Sequence, residues 1–282
     1  MASNPDVFTA RTADRYRLYL SSVQDPEHEV HILRRVYKDS FGKDPLTLRE
    51  DFCGTAAICA EWVRKGPDKQ AWGIDLDPEP LAWGKLYNVS PLQPHQQQRV
   101  HLVEADVRSR QKHKVDVVAA QNFSFQIFKD RNVLRDYFKH AYANLDRNGV
   151  FLLDMMGGPL CQEDNRVERR RCRGFTYIWE QEFYDPISHN TLFHIHFEFR
   201  DGTRMRRAFT YNWRMWTMAE VNELLLEAGF SDVAVYWMED ELSASGEPVY
   251  RRRKSGPADQ CWLTYVVGIK GTPRKAKARG KR

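Results

Sequence analysis

The feature that most limits how this chain can fold is an alternation between residues 45 and 155. Short apolar runs at 46–52, 71–76, 100–104, 115–121 and 150–155 read as strands. Stretches at 55–65, 78–88 and 132–145, with apolar residues three and four apart, read as helices between them. Strands that alternate with helices in this way need right-handed crossovers, and so predict a parallel sheet covered on both faces.

The flanks depart from that rhythm. Residues 12–42 carry Tyr16, Tyr19, Leu20, Val30, Leu33, Val36 and Tyr37 at helical spacing, with a break at Asp25, Pro26 and Glu27 that restarts the helix. Residues 174–214 hold three long alternating segments, 175–184, 191–200 and 204–213, joined by polar turns. This predicts an antiparallel meander inserted into the α/β chain. A helix over 218–228 stops at Gly229, and strands at 231–238 and 260–269 follow. The arginine clusters 169–173 and 250–254 read as solvated loops.

The 282 residues carry 43 Lys and Arg against 38 Asp and Glu. Six of those basic residues lie in the last ten positions, which hold no acid; removing them from the 43 leaves 37 basic against 38 acidic. The excess charge belongs to a tail over 272–282, which reads as disordered, and a nucleic-acid binder cannot be inferred from net charge. At 42% hydrophobic residues the chain can build a core, and no run reaches the ~20 apolar residues that span a bilayer. The N-terminus lacks the basic and apolar regions of a signal peptide. Five dispersed cysteines without a Cys-x-x-Cys pair point to reduced thiols in the cytoplasm.

Four consecutive strands deliver polar residues to one edge of the expected sheet. The first ends in Glu50 and Asp51 and runs into the small-residue turn Cys53, Gly54, Thr55, Ala56, where backbone can approach a ligand. The second ends in Asp75, whose two carboxylate oxygens could accept both hydroxyls of a ribose. The third ends near Glu104 and Asp106, and the fourth at Gln121 and Asn122. Open α/β sheets bind ligands at that edge.

On these residues the sequence resembles the class I S-adenosylmethionine-dependent methyltransferases, over roughly 45–158 and 216–271. The resemblance implies a seven-stranded, doubly wound, mostly parallel sheet of the Rossmann-like methyltransferase type, carrying an antiparallel β insertion. The domain division that follows is a helical lid over 1–44, a methyltransferase domain over 45–271 with its insertion at 174–214, and the tail. Residues 50–56 look like the first motif of that family, with Phe52 and Ala56 in place of two glycines. The resemblance implies S-adenosyl-L-methionine as cofactor, with Glu50, Cys53 and Gly54 near its methionine end and Asp75 on the ribose. Leu76, Asp106 and Val107 would serve the adenine, Gln121 and Asn122 the transferred methyl, and Tyr16 of the lid would close over them. No metal is expected.

The stretch 121–126 lacks the Asn/Asp-Pro-Pro-Tyr pattern of enzymes that methylate DNA bases and protein glutamine, and it looks more like that of small-molecule N-methyltransferases. In those enzymes an antiparallel insertion roofs the acceptor. The expected acceptor is therefore a small molecule bearing an amine, hydroxyl or carboxyl group. Pocket candidates on the insertion are Tyr177, Trp179, His194, His196, Tyr211, Trp213 and Arg214, with Asn122, His194 and Tyr211 singled out as catalytic. Phe193, Ile195, Phe197 and Phe199 form the other face of their strand and read as core. Two rival readings stand beside this one: an RNA or ribosomal-protein methyltransferase docked through the tail, and a noncatalytic cofactor-binding module. Membrane association is not expected, and the oligomeric state is open.

Overall fold

The computed structural model describes residues 9–110, 112–243, 246 and 248–274. Two helices lead the chain, α1 (Arg15–Ser22) and α2 (Pro26–Phe41). Each begins at an aspartate that accepts backbone N–H groups of the first turn, Asp14 for α1 and Asp25 for α2. The alternating region follows as β1 (Thr47–Asp51), α3 (Ala57–Arg64), β2 (Gln70–Asp75), α4 (Pro78–Gly84), α5 (Pro94–Gln97), β3 (Val100–Glu104), β4 (Val115–Ala120), α6 (Arg131–Asn144) and β5 (Leu145–Gly157). Four antiparallel strands come next: β6 (Arg166–Arg171), β7 (Phe175–Tyr184), β8 (Asn190–Phe199) and β9 (Arg204–Arg214). The chain closes with α7 (Met218–Glu227), capped reciprocally by Thr217 and Glu220, then β10 (Asp232–Leu242), β11 (Pro248–Arg253) and β12 (Trp262–Lys270).

The large sheet runs β11-β10-β12-β5-β4-β1-β2-β3. The five strands from β5 to β3 are parallel, and β12 enters antiparallel between β5 and β10. The chain winds outward from β1 to β3 and then returns to β4 on the other side of β1. This places a topological switch, and hence a ligand crevice, at the carboxyl ends of β1 and β4. One face of the sheet is covered by α2 and α3 through Val30, Leu33, Val36, Ile58 and Trp62. The other is covered by α6 and α7 through Leu134, Phe138, Val221, Leu224 and Leu225.

The expected α/β class with an antiparallel insertion is the fold found, and three local expectations are revised. The arginine clusters are not loops. Arg169, Arg170 and Arg171 lie in β6, a fourth strand of the small sheet β6-β7-β8-β9. Arg251, Arg252 and Arg253 lie in β11, which adds an eighth strand to the seven expected. Their charge hid a strand because, at a sheet edge, long polar side chains can stand on both faces; Arg251, Arg252 and Arg253 pair with Glu241, Asp232 and Glu239 of β10. The described part of the expected lid, 9–44, also divides: the inner face of α2 is buried in the main core, while α1 and Gln24 border the crevice. Most of the basic tail, 275–282, falls outside the described residues.

Candidate active site

The turn after β1 builds the crevice floor. Phe52, Gly54 and Ala56 all take left-handed backbone, with φ of 58°, 50° and 55°. The two positions where the resemblance expects glycine thus keep the glycine conformation without its side-chain freedom, at a strain of about 1–2 kcal/mol each. Gly54 is the residue that faces open space: a Cβ there would have no protein atom within 4 Å. Across the turn, Gly84 of α4 abuts the backbone, since a Cβ on it would lie 2.1 Å from the Thr55 carbonyl oxygen. Ala56 cannot cap α3 with its side chain. Glu50 does this from the strand, accepting from the Cys59 N–H at 3.2 Å and the Cys59 thiol at 3.0 Å.

Asp75 at the tip of β2 fastens this turn from the opposite side. One carboxylate oxygen accepts the Gly54 N–H at 2.7 Å and the other the Asp77 N–H at 3.0 Å, leaving each oxygen a further lone pair. Together with α1 and the tip of the small sheet they enclose a cleft of about 440 Å³. Its lining includes Tyr16, Cys53, Gly54, Asp75, Asn122 and Tyr211. Tyr16 is held at the rim by Trp83 and Phe209, with ring centroids 5.5 and 6.1 Å away.

A second cavity of about 380 Å³ lies between the small sheet and the end of β5. Trp179, Phe193, Tyr211 and Trp213 form an aromatic wall, with Trp179 stacked on Phe193 at 4.7 Å and Tyr211 on Trp213 at 4.5 Å. Tyr19, Asn122 and Tyr211 line both spaces, so the two meet at a neck framed by these three residues. Asn122 and Phe123 sit in left-handed backbone, φ 56° and 58°, and both N–H groups donate to Asp154, at 2.9 and 2.8 Å. Burial pushes Asp154 up to about 7 and the Tyr19 phenol up to about 12, and it raises Tyr211 as well. The phenols at the neck are therefore protonated at neutral pH and serve as hydrogen-bonding groups.

The sequence-derived candidates divide. Tyr16, Cys53, Gly54, Asp75, Asn122 and Tyr211 come together on the cleft. The others are placed elsewhere. Glu50 is buried against α3, pushed up to about 8 by burial. Leu76 is 70% exposed, and Val107 is buried, its carbonyl accepting from Arg49 at 2.5 Å. Asp106 is engaged by Arg108 at 2.6 Å, which holds its carboxyl below the usual range. Gln121 donates to the half-buried Glu29 behind the crevice. His194 is on the wrong face of β8. Its ring is buried between Thr210 at 2.9 Å and Glu182 at 2.8 Å, and His196 similarly meets Glu180.

Phe193, Ile195, Phe197 and Phe199 are buried core, as expected, and Phe193 and Ile195 also wall the cavity, so the apolar face of β8 rather than the histidine face looks into it. Arg214 also turns away, onto Glu220 at 3.0 Å and the Trp216 ring. Sequence reasoning missed Arg49, Glu29 and Asp154. Arg49 and Asp51 form a fully buried ion pair at 2.6 Å, and Arg49 also reaches the carbonyls of Val107 and Ser109, binding β1 to the segment after β3. An arginine within an otherwise buried strand was the available signal.

No protein-family model and no curated protein sequence matches the chain. Solved structures do. An S-adenosylmethionine-dependent methyltransferase from Clostridium acetobutylicum matches with a TM-score of 0.62 at 18% identity, covering 91% of this chain and 97% of that one. CalS10, an amino pentose methyltransferase from Micromonospora echinaspora solved with S-adenosylmethionine bound, gives 0.63 at 17% identity over 91% and 97%. The sugar N-methyltransferase KedS8 from a Streptoalloteichus species gives 0.61 at 17% over 96% and 97%. The strand order, the crevice at the switch point and these matches together give the chain the fold of the S-adenosylmethionine-dependent methyltransferases, antiparallel roof included.

Proposed function

We propose that the protein transfers a methyl group from S-adenosylmethionine to an amine of a small molecule held in the aromatic cavity. The observation that carries this reading is the shared neck: Tyr19, Asn122 and Tyr211 border both the cleft and the cavity. Two reactants bound in the two spaces would face one another there. In-line displacement needs that alignment more than it needs acid–base groups.

The cleft residues suit the donor. The Gly54 turn admits a ligand against bare backbone, and Asp75 has lone pairs for two ribose hydroxyls. S-adenosylmethionine, when bound, supplies a methyl already activated on a sulfonium. The chain's share is to orient the acceptor, exclude water and receive the acceptor nitrogen as a free base. Displacement at the methyl needs the nitrogen lone pair, so the amine must reach the neck having lost its proton to solvent, a loss that removal from water favours. A hydroxyl acceptor would need a base at the neck, where the phenols hold their protons. A carboxylate would need a cation; of the arginines lining the cavity, Arg166 and Arg169 are engaged by Glu168 and Glu198, and Arg170 is held on the Ser22 carbonyl and the Tyr177 ring. CalS10, an amino pentose methyltransferase, and KedS8, a sugar N-methyltransferase, support the same choice.

Calorimetry with S-adenosylmethionine and its demethylated product tests the first half: binding by the wild type and weaker binding by Asp75→Ala are expected. No heat from either ligand would sink the reading. A panel of small amines, alcohols and acids, assayed by mass spectrometry for an added methyl, tests the second half.

A further inference from the structure

Two cysteines that the sequence sets one hundred residues apart meet on the wall of the aromatic cavity. Cys161 lies in the short turn after β5, and Cys261 immediately before β12. Gly157 pairs with Trp262 in the ladder, and the Leu160 N–H donates to the Gln260 carbonyl at 3.0 Å. The contact is so close that a Cβ on Gly158 would lie 2.5 Å from that carbonyl oxygen. Both thiols line the cavity, and Cys161 is buried while Cys261 is exposed. We propose that Cys161 and Cys261 form a peroxide-reactive dithiol that closes to a disulfide across the acceptor-cavity wall.

The surroundings assign the two sulfurs different parts. Cys261 is lowered by the neighbouring Cys161 thiol and then by the Arg166 guanidinium, against burial and the charge of Glu168. The Cys161 thiol is raised by its Cys261 neighbour and by burial. The exposed Cys261 thiolate is thus the attacking group and Cys161 the resolving one. In the first step the Cys261 sulfur attacks a peroxide oxygen. The O–O bond breaks, hydroxide leaves as water, and a sulfenic acid remains. In the second the Cys161 sulfur attacks that sulfenic sulfur, the S–O bond breaks and a second water leaves. Two electrons pass from the sulfurs to the peroxide. Cys53 and Cys59 are both buried and burial raises both thiols, so neither offers an exposed thiolate. On the reading that this cavity holds the acceptor, the disulfide fixes the turn at 159–162 to β12 and changes acceptor turnover while leaving the methyl-donor cleft alone.

The test uses the full chain treated with hydrogen peroxide, alkylated at its remaining thiols and mapped by mass spectrometry. The expected product is a reductant-sensitive link between the Cys161 and Cys261 peptides, with Cys53 and Cys59 recovered as alkylated thiols. In Cys161→Ser, Cys261 should pass on to sulfinic acid, whereas Cys261→Ser should leave Cys161 a thiol. Both thiols alkylated after peroxide, or wild-type Cys261 driven to sulfinic acid beside a free Cys161, would overturn the proposal. Donor binding by calorimetry should be equal in the oxidised and reduced proteins. Its absence in both would sink the methyltransferase reading and leave the dithiol standing. A several-fold, reductant-reversible change in acceptor turnover is expected, and an unchanged rate in the fully linked protein would overturn the coupling to the cavity.

Discussion

Tyr211, on β9, and Tyr19, on α1, pack on one apolar cluster and both border the cleft and the cavity. Their meeting brings the antiparallel sheet onto the N-terminal helix at the point where the two spaces join. Both phenols keep their protons at neutral pH, because burial pushes Tyr19 up to about 12 and raises Tyr211 too.

Removing the Tyr211 hydroxyl should separate alignment from binding. Tyr211→Phe keeps the ring stacked on Trp213 and takes only the hydroxyl away from the neck. Donor affinity should hold while turnover falls on the order of tenfold through misalignment. Calorimetry and initial rates on one preparation decide it; a variant turning over at the wild-type rate would remove the neck from the mechanism.

Gly54→Ala should do the reverse. The new methyl meets no protein atom within 4 Å, so folding loses only the left-handed strain, about 1 kcal/mol. The same methyl projects into the cleft and should weaken donor binding at least tenfold, about 1.4 kcal/mol. Thermal melts and titration measure the two losses side by side, and equal losses would mean that Gly54 does not face the donor.

Arg49→Met should be among the most damaging single changes away from the site. It strands the buried Asp51 with only the Tyr137 hydroxyl, at 3.0 Å, and removes the donor to Val107 and Ser109. A loss of about 3–5 kcal/mol is expected in urea unfolding. Adding Asp51→Leu should restore part of it, since no unpaired charge then remains buried. Failure of the double variant to improve on the single one would show that the carbonyl contacts, rather than the ion pair, hold this region.

The acid behind the crevice sets a pH dependence. Glu29 is pushed up to about 8 by burial, with the charge of Asp154 adding to it, and it accepts from Tyr265 at 3.0 Å. Its ordinary value is 4.5, so between there and 8 the folded state keeps a proton that the unfolded state has lost. Stability from this group is full below that window and falls as pH rises through it, by at most ~1.4 kcal/mol per pH unit. Glu29→Gln removes the titration at nearly constant shape. Its melting temperature should therefore fall less than that of the wild type between pH 5 and pH 8. Parallel curves for the two proteins would place Glu29 at an ordinary carboxyl value.

Much of this was legible before any coordinates. Strand periodicity located the five parallel strands to within a few residues, except for β5, which also takes in 145–149, because each buried run is bounded by turn chemistry. The acids at strand tips pointed to the correct edge of the sheet. What was hidden has specific causes. Which face of β8 borders the cavity is fixed by how the small sheet docks, so the core residues Phe193 and Ile195 line it and His194 does not. Glu50 and Asp106 carry the right chemistry at the right edge, yet Cys59 and Arg108 occupy them. Asp154 acts on residues more than thirty positions earlier, and nothing local to its sequence announces a partner at that distance.

The arginines of β11 have a consequence for how molecules of this protein meet one another. A sheet that ends on an open strand offers a row of backbone donors and acceptors to any extended segment nearby, and such rows seed aggregation. Here Arg251, Arg252 and Arg253 occupy successive positions on that outermost strand, each paired with an acid of β10. An incoming strand would have to strip water from three ion pairs to zip onto the edge. The charge that hides β11 in the sequence is therefore what keeps the large sheet from growing beyond it.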